Sequence, residues 1–157
     1  MKTILIATDF SHASRNASFF GIGLAKALGA NILLFNSFKS SDSQSRPGDA
    51  GSLYEIMLKA EAQLLDEADF LDPGHKLMEV VCEDGEAYRT ILNVAKEKNV
   101  DFIVVGRKGN GDSIAELFGS TATALGKNTS VPLIIVPENA KFETDVVKMS
   151  KEFTPEM

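Results

Sequence analysis

The sequence predicts an α/β fold, an open, doubly wound, five-stranded parallel sheet of the Rossmann-like type with helices on both faces. Short apolar segments typical of strands alternate with amphipathic segments typical of helices along residues 1–137. Two of these segments, residues 3–8 and 101–105, are nearly continuous apolar runs, as expected of strands buried on both faces. In such a sheet, right-handed crossovers place ligands beyond the carboxyl ends of the strands, where the strand order reverses.

Each element is predicted from its own pattern. The predicted strands are residues 3–8, 31–37, 76–82, 101–105 and 131–136. The predicted helices are residues 13–28, 53–71, 86–99 and a short one that begins near Gly119. Gly29 follows the first helix as a C-terminal cap, and Asp72-Pro73-Gly74 is a turn that ends the second. Residues 39–52 are rich in Ser, Asp and Gly and predict a loop.

Composition excludes several classes of function. The net charge of −6 argues against nucleic acid and anionic membranes as partners. Cys82 is the only cysteine and the two histidines, His12 and His75, are far apart, so neither a disulfide nor a metal held by side chains alone is expected. No segment approaches the roughly 20 apolar residues of a membrane span, and Asp9 comes too early for a signal peptide. We expect a cytoplasmic protein with one domain, residues 1–137, and a tail or linker, residues 138–157.

A glycine-rich segment follows the fourth predicted strand. Its small residues form two clusters, Gly106 with Gly109 and then Gly119 with Ser120 and Thr121. Glycine lets backbone N–H groups approach an anion closely, and the helix N-terminus that opens at Gly119 favours negative charge. Arg107 and Lys108 add positive charge, although exposed loop cations are common. The spacing therefore predicts a site for phosphate groups.

Two other phosphate motifs fit this segment poorly. The dinucleotide pattern GxGxxG is absent, because the close glycine pair, Gly109 and Gly111, comes last and the segment does not follow the first strand. A P-loop requires Ser or Thr after its Gly-Lys pair, whereas Asn128 follows Gly126-Lys127.

The arrangement resembles the universal stress protein family, whose ATP-binding members carry Gly-x2-Gly-x9-Gly-Ser/Thr after the fourth strand. The resemblance covers residues 1–137 and includes ILIATDFS, Gly85, DFIVVG and VPLIIVP. It implies an adenine nucleotide alpha hydrolase-like fold that binds ATP, with ADP and AMP left open as ligands and Mg²⁺ held mainly by the phosphates. It also implies a homodimer that pairs residues 131–136 antiparallel at the sheet edge, an interpretation favoured by the apolar character of that strand.

The resemblance also implies roles for most of the site residues. The nucleoside would contact Ala7, Thr8, Asp9, Asn36, Val105 and Gly106, with the Asp9 carboxylate accepting from the ribose hydroxyls. The phosphates would contact Gly109, Gly119, Ser120 and Thr121, and Lys108 is a further candidate for phosphate contact because of its charge, independently of the resemblance. Asn36 departs from the family, which usually places an apolar residue beside adenine, and the departure leaves base selectivity open. A purely structural alternative for Asp9 is capping of the first helix.

The favoured function is a regulatory module that stores or senses ATP. The loop offers Asp112, Ser113 and Glu116, and no arrangement singles one out as a base, so at most slow hydrolysis is expected. The alternatives are a slow ATPase or nucleotide-handling enzyme, a receiver-like domain, and a protein-interaction module without nucleotide. A receiver requires an acidic pair where this chain has Asp9 alone, and Asp84 is its only weak phosphoacceptor candidate.

Other notable side chains are given structural roles. Phe10, Phe19 and Phe20 are expected in the core, His12 and His75 at the surface, and Cys82 as a small strand residue.

Overall fold

The sheet is built from five parallel strands: β1 (Thr3–Ala7), β2 (Asn31–Phe38), β3 (Met78–Asp84), β4 (Phe102–Gly106) and β5 (Leu133–Val136). The helices are α1 (His12–Leu28), α2 (Ala50–Leu71), α3 (Ala87–Glu97) and α4 (Ser120–Asn128). These elements come from a computed structural model that describes residues 1–40, 50–74, 78–107 and 118–143. The strand order is β3-β2-β1-β4-β5 with every neighbouring pair parallel, so the predicted doubly wound fold is confirmed.

Alternate residues of β1 face two separate cores. Ile4 and Ile6 are fully buried in a cluster with side chains of α1 and α2, including Ala17, Ile22, Leu64 and Ala68. Leu5 is fully buried in a second cluster with side chains of α3 and α4, including Ile91, Val94, Ala122 and Leu125. The sheet is therefore covered on both faces, as the apolar run of β1 predicts.

The strand order reverses between β1 and β4. From β1 the chain moves outward through β2 to β3, and it then crosses to β4 on the opposite side of β1. The helices that follow β1 and β4 consequently leave in opposite directions from the same edge. This divergence opens a crevice at the carboxyl ends of the two strands, as is usual for doubly wound sheets.

The ends of the elements differ slightly from the predicted ones. β5 begins at Leu133 rather than at residue 131, although the Pro132 carbonyl still accepts from Ile103 N at 2.9 Å. Gly29 ends α1 with φ 64°, in the left-handed region, and its role as a C-terminal cap is confirmed. Part of the predicted third strand, residues 76–77, and most of the predicted loop at 39–52 lie outside the described residues.

The chain continues past β5 along α1. Asn16 Nδ2 donates to the Pro137 carbonyl at 3.0 Å and to the Ala140 carbonyl at 3.2 Å. The Phe142 ring meets Phe20 edge-on with centroids 5.4 Å apart and also covers Gly23. The first residues of the segment predicted as a tail are therefore packed against the domain, and residues 144–157 lie outside the described residues.

Phe19 corrects one expectation about the core. Phe10 and Phe20 pack against the first core cluster, as predicted, but Phe19 is 46% exposed on the outer face of α1. Its partner is Phe70 of α2, itself 57% exposed, with ring centroids 6.2 Å apart. The prediction failed because consecutive positions on a helix face different directions, so Phe19 and Phe20 cannot both face the sheet.

Two expectations about single residues are confirmed: His12 is exposed and Cys82 lies in β3 as a free thiol. His75 lies outside the described residues. Within the described part of the chain, every helix is too short or too polar to cross a membrane.

Candidate functional site

A cleft of about 220 Å³ lies at the carboxyl edge of the sheet, at the point where the strand order reverses. The ends of β1, β2 and β4 and the first turns of α1, α3 and α4 surround it. The residues that line it are Ala7, Thr8, Asp9, Ser11, Ala13, Ser14, Phe35, Asn36, Ser37, Ala87, Ile91, Val105, Gly106, Phe118, Gly119, Ser120, Thr121 and Ala122.

Nine of the residues assigned to a ligand from the sequence lie together in this cleft. They are Ala7, Thr8, Asp9, Asn36, Val105, Gly106, Gly119, Ser120 and Thr121. Lys108 and Gly109 lie outside the described residues, as do Asp112, Ser113 and Glu116. These nine residues are as many as 114 positions apart in the sequence, from Ala7 to Thr121. The fold brings them together at one edge of the sheet.

A network of hydroxyl groups shapes the turn after β1. The Ser14 hydroxyl lies 2.9 Å from Asp9 Oδ1 and 3.1 Å from Thr8 Oγ1. Because a serine hydroxyl has one proton, a bond from Ser14 to the carboxylate leaves Thr8 as the donor to Ser14. Thr8 Oγ1 in turn accepts from Phe10 N at 3.0 Å. Thr8 and Ser14 are both buried, so the turn is held from beneath the cleft.

Asp9 is oriented by the start of α1. Its Oδ1 atom accepts from Ser11 N at 3.0 Å as well as from Ser14. Ser11 is the residue that caps α1, with its hydroxyl accepting from Ser14 N at 3.3 Å, so the structural alternative in which Asp9 is the cap is wrong. The backbone between them has φ 66° at Phe10, a conformation that is uncommon for a bulky residue. Asp9 therefore stands on a tightly defined turn, where it is an exposed residue and lines the cleft.

Gly106 is needed for a reason that the sequence did not reveal. It is the last residue of β4, where it pairs with Val136. A Cβ at this position would lie 2.6 Å from the Ala13 carbonyl oxygen and 3.1 Å from Ser14 N. The missing side chain lets the first turn of α1 pack directly on the end of β4. The next amide, Arg107 N, donates to the Val136 carbonyl at 3.0 Å, so it extends the sheet instead of facing an anion.

Gly119 opens α4 toward the cleft. It has φ 84° and ψ 159°, a region that is essentially restricted to glycine. The first helical bond runs from Thr123 N to the Gly119 carbonyl at 3.1 Å, and no side-chain cap is found within the described part of the chain. The amides of the first turn, at Ser120, Thr121 and Ala122, consequently carry the partial positive charge of a helix N-terminus beside the cleft.

Asn36 lies two residues before the end of β2 and lines the cleft. It is 8% exposed, and its Nδ2 atom donates to the Thr8 carbonyl at 2.8 Å. A carbonyl oxygen can only accept, so this contact fixes which end of the amide is the NH2 group. The bond ties the ends of β1 and β2 together below the turn that carries Asp9.

The receiver-like alternative gains no support from the position of Asp84. Its carboxylate lies at the end of β3, where it accepts from Ser40 N at 3.0 Å and from Ser40 Oγ at 2.8 Å. Asp84 does not line the cleft that holds Asp9.

Sequence reasoning missed the polar residues of α1 that complete the site. Neither Ser11 nor Ser14 was predicted as a site residue, although both line the cleft. Their three-residue spacing directly after a buried strand is the pattern from which a capped turn could be inferred. Phe118 and Ile91, which cover the cleft from two other elements, carry no local pattern that distinguishes them from core residues.

Comparison with known proteins gives one family. The model of the universal stress protein family matches residues 1–137. The universal stress protein Rv2624c of Mycobacterium tuberculosis strain H37Rv is 24% identical over 136 residues, which are 87% of this chain and 48% of that protein. The chain thus spans about half the length of the relative it matches.

Solved structures share the same fold. The universal stress protein UspA from Lactobacillus plantarum superposes with a TM-score of 0.68 at 20% identity, over 86% of this chain and 97% of that one. A universal stress protein in complex with cAMP superposes with a TM-score of 0.60 at 22% identity, over 86% of this chain and 96% of that one. At this level of identity the likeness concerns the fold.

Proposed function

This chain belongs to the universal stress protein family, and we propose that it binds an adenine nucleotide, with ATP as the expected ligand, in the cleft between β1 and β4. The observation that carries the proposal is the open N-terminus of α4, which stands beside Asp9 and the apolar ends of β2 and β4 in one cleft. Together they offer an anion-binding end, an oxygen acceptor for hydroxyl groups and an apolar surface for a base.

The phosphate end would be the first turn of α4. Gly119 provides no Cβ to obstruct an approaching oxygen, and no side chain of the described residues caps the amides of Ser120 and Thr121. Free amides at a helix N-terminus bind phosphate because their hydrogens and the helix dipole both favour negative charge. The Ser120 side chain is exposed, so its hydroxyl is available as a further donor. We propose two additional phosphate contacts: Gly109, a fixed position of the family motif, and Lys108, because of its positive charge.

The nucleoside end would lie over the ends of β1, β2 and β4. Ala7, Phe35 and Val105 contribute apolar surface to the cleft, which suits a purine ring. Asp9, held on its turn by Ser11 and Ser14, presents a carboxylate suited to accept from ribose hydroxyls. A solved structure of the same fold contains cAMP, which supports a nucleotide as the ligand class.

Binding is proposed as the function in preference to steady catalysis. Of the described residues that line the cleft, Asp9 alone carries a carboxylate, and its Oδ1 atom accepts from Ser11 and Ser14. Such a group is better placed to hold a ligand than to accept a proton from attacking water. The described residues include no group of three or more metal-binding side chains, so Mg²⁺ would depend on phosphate oxygens and water. The output would then be a change in shape or partner on binding.

Calorimetric titration with MgATP, ADP, AMP and cAMP tests the proposal. Ser120→Asp places a carboxylate at the start of α4, where it favours the helix but repels a phosphate, so we expect at least tenfold weaker MgATP binding. Ser130→Asp is the matched control, since Ser130 is exposed beyond the other end of α4 and the change in charge is the same. Equal MgATP affinity in both variants, or no binding by the unmodified protein, would reject the site.

We also propose a homodimer that forms through β5. This strand lies at the edge of the sheet. The Pro132 carbonyl accepts from Ile103 N of β4, and the Val136 carbonyl accepts from Arg107 N just after β4. Because residues alternate along a strand, Leu133 and Ile135 direct their backbone groups outward. Ile135→Pro would remove an outward donor and leave the bonds to β4 in place, so light scattering should report a monomer where the unmodified protein is a dimer. A monomeric unmodified protein at micromolar concentration would contradict the proposal.

A further inference from the structure

The two polar atoms of the Asn36 side-chain amide differ in their contacts: Nδ2 forms a hydrogen bond, and Oδ1 forms none with the described residues. Nδ2 donates to the buried Thr8 carbonyl at 2.8 Å, so the amide cannot rotate without placing two acceptors against each other. Oδ1 accepts no hydrogen bond from any residue in the described ranges. Every fully buried side-chain polar atom in those ranges has a partner, so Oδ1 must retain accessible surface. Since Asn36 lines the cleft, that surface faces the cleft.

We propose that Asn36 selects the base: its Oδ1 atom accepts a hydrogen bond from the exocyclic 6-amino group of the purine. This inference rests on the proposed nucleotide function and adds a recognition element to the same cleft. The surroundings are suited to base recognition, because Asn36 is only 8% exposed and lines the cleft together with the apolar Ala7 and Val105. A polar atom in such a place discriminates strongly, since an unsuitable ligand leaves it desolvated and unpaired.

Because Oδ1 is a hydrogen-bond acceptor, bases that offer it no donor should bind more weakly. A 6-oxo purine brings a carbonyl oxygen toward another acceptor, and a purine without a 6-substituent offers no donor. Both leave Oδ1 without a hydrogen bond after water has been displaced. The Thr8 contact makes this choice stable, because it prevents the amide from turning its NH2 group toward the base. Asn36 would therefore act as a specificity residue whose orientation is set by β1.

Three nucleotides with the same triphosphate separate this role from general affinity. The probes are MgATP, the triphosphate of purine riboside, which lacks the 6-amino group, and inosine triphosphate, which carries a 6-oxo group. We expect the unmodified protein to bind each analogue at least about tenfold more weakly than ATP. Isothermal titration gives each dissociation constant. The readout is the dissociation constant for the analogue divided by that for ATP.

In Asn36→Ala and Asn36→Val, the dissociation constant for purine riboside triphosphate should become nearly equal to that for ATP, so the ratio of the two should be close to one. The ratio is the useful quantity because either change also removes the bond to Thr8 and lowers affinity for every nucleotide. Two variants are used so that a folding defect in one, detected by circular dichroism, does not prevent the test. Asn31→Ala is the matched control: it lies at the opposite end of the same strand and should keep the ratio of the unmodified protein.

The outcomes separate this inference from the proposed function. Binding of all three nucleotides with equal affinity by the unmodified protein would overturn the role of Asn36 and leave the nucleotide function standing. A ratio that persists in both Asn36 variants would also overturn it, since another group would then read the base. Absence of binding by all three nucleotides would reject the nucleotide function, and the role of Asn36 with it.

Discussion

Arg15 of α1 forms a two-point contact with Glu67 of α2. Arg15 Nε donates to Oε1 at 2.9 Å and Nη2 donates to Oε2 at 2.7 Å. The Glu67 side chain is 5% exposed, whereas that of Arg15 is 38% exposed. The carboxylate raises the pKa of the Arg15 guanidinium through this hydrogen bond, so the cation persists at any ordinary pH. Since Ser11 and Ser14 at the start of α1 hold the Asp9 carboxylate, the contact also anchors the helix that supports the site.

Because Glu67 is more buried than Arg15, replacement of Arg15 should destabilise the protein more than replacement of Glu67. Arg15→Leu leaves a buried carboxylate without its partner, whereas Glu67→Leu leaves an arginine that can turn into water. We expect Arg15→Leu to lower the melting temperature by about 5 °C or more and Glu67→Leu to lower it by less. Differential scanning calorimetry at pH 7 measures both.

The same pair of helices supplies a control for this prediction. Lys26 Nζ lies 3.2 Å from Asp72 Oδ1, but the Lys26 side chain is 62% exposed. Exposed pairs of this kind contribute little, so Lys26→Leu should leave the melting temperature nearly unchanged. Equal effects of Arg15→Leu and Glu67→Leu would show that burial of the carboxylate does not govern the contact.

Gly119 should be intolerant of any side chain. Its φ of 84° and ψ of 159° strain every other residue, and Gly119→Ala should cost about 1–3 kcal/mol of unfolding free energy. Gly126→Ala in the same helix is the matched control, because a Cβ there meets no atom within 4 Å. That change should stabilise the protein by about 0.5–1 kcal/mol through helix propensity. Urea unfolding should give a lower free energy of unfolding for Gly119→Ala and a higher one for Gly126→Ala. An unchanged free energy in Gly119→Ala would contradict the assigned backbone conformation.

The fold could be predicted from the sequence because its main determinants are local. The apolar runs of β1 and β4 and the capping glycine at Gly29 each act through neighbouring residues, so their patterns are visible in the chain. The cleft could be predicted because parallel strands bring their carboxyl ends to one edge. The packing of Gly106 on Ala13 could not, since the two residues are 93 positions apart and their contact depends on how closely α1 approaches β4. The orientation of Asn36 likewise depends on the Thr8 carbonyl, which only the folded sheet brings within reach.

Gly23 and Phe142 form a coupled pair that tests the packing of the segment after β5. A Cβ on Gly23 would lie 2.6 Å from Phe142 Cδ1 and 2.9 Å from Phe142 Cβ. Gly23→Ala should therefore displace the ring and lower stability, although alanine is normally the better helix residue. Phe142→Gly should cost about 1–2 kcal/mol, because the ring is only partly buried.

The effect of Gly23→Ala on the free energy of unfolding should change sign when the Phe142 side chain is removed. In the Phe142→Gly background the three atoms that would crowd the new Cβ are absent, so Gly23→Ala should stabilise the protein by about 0.5–1 kcal/mol. Urea unfolding of the four proteins completes the cycle. Additive effects would mean that residues 138–143 do not pack on α1 in solution, and the domain would then end near residue 137, as the sequence suggests.

Cys82 should be an unreactive thiol. Burial and the nearby carboxylates of Glu61 and Glu83 raise its pKa from the ordinary 9.0 to about 11, because each disfavours the thiolate. Alkylation by iodoacetamide at pH 8 should therefore be more than about tenfold slower than in the urea-unfolded protein, since the thiolate is the reactive form. The rate in the folded protein should climb as the pH approaches 11.

The same shift makes stability depend on pH in a defined window. Above pH 9.0 the unfolded chain begins to release the Cys82 proton while the folded protein retains it until about pH 11. The unfolded state then binds fewer protons, so the free energy of unfolding falls as the pH rises through this range. Cys82→Ala removes the titrating group, and its stability should fall less between pH 9 and pH 11 than that of the unmodified protein. Parallel pH dependence in the two proteins would mean that Cys82 is not the titrating group, and rapid alkylation at pH 8 would mean that its thiol is open to solvent.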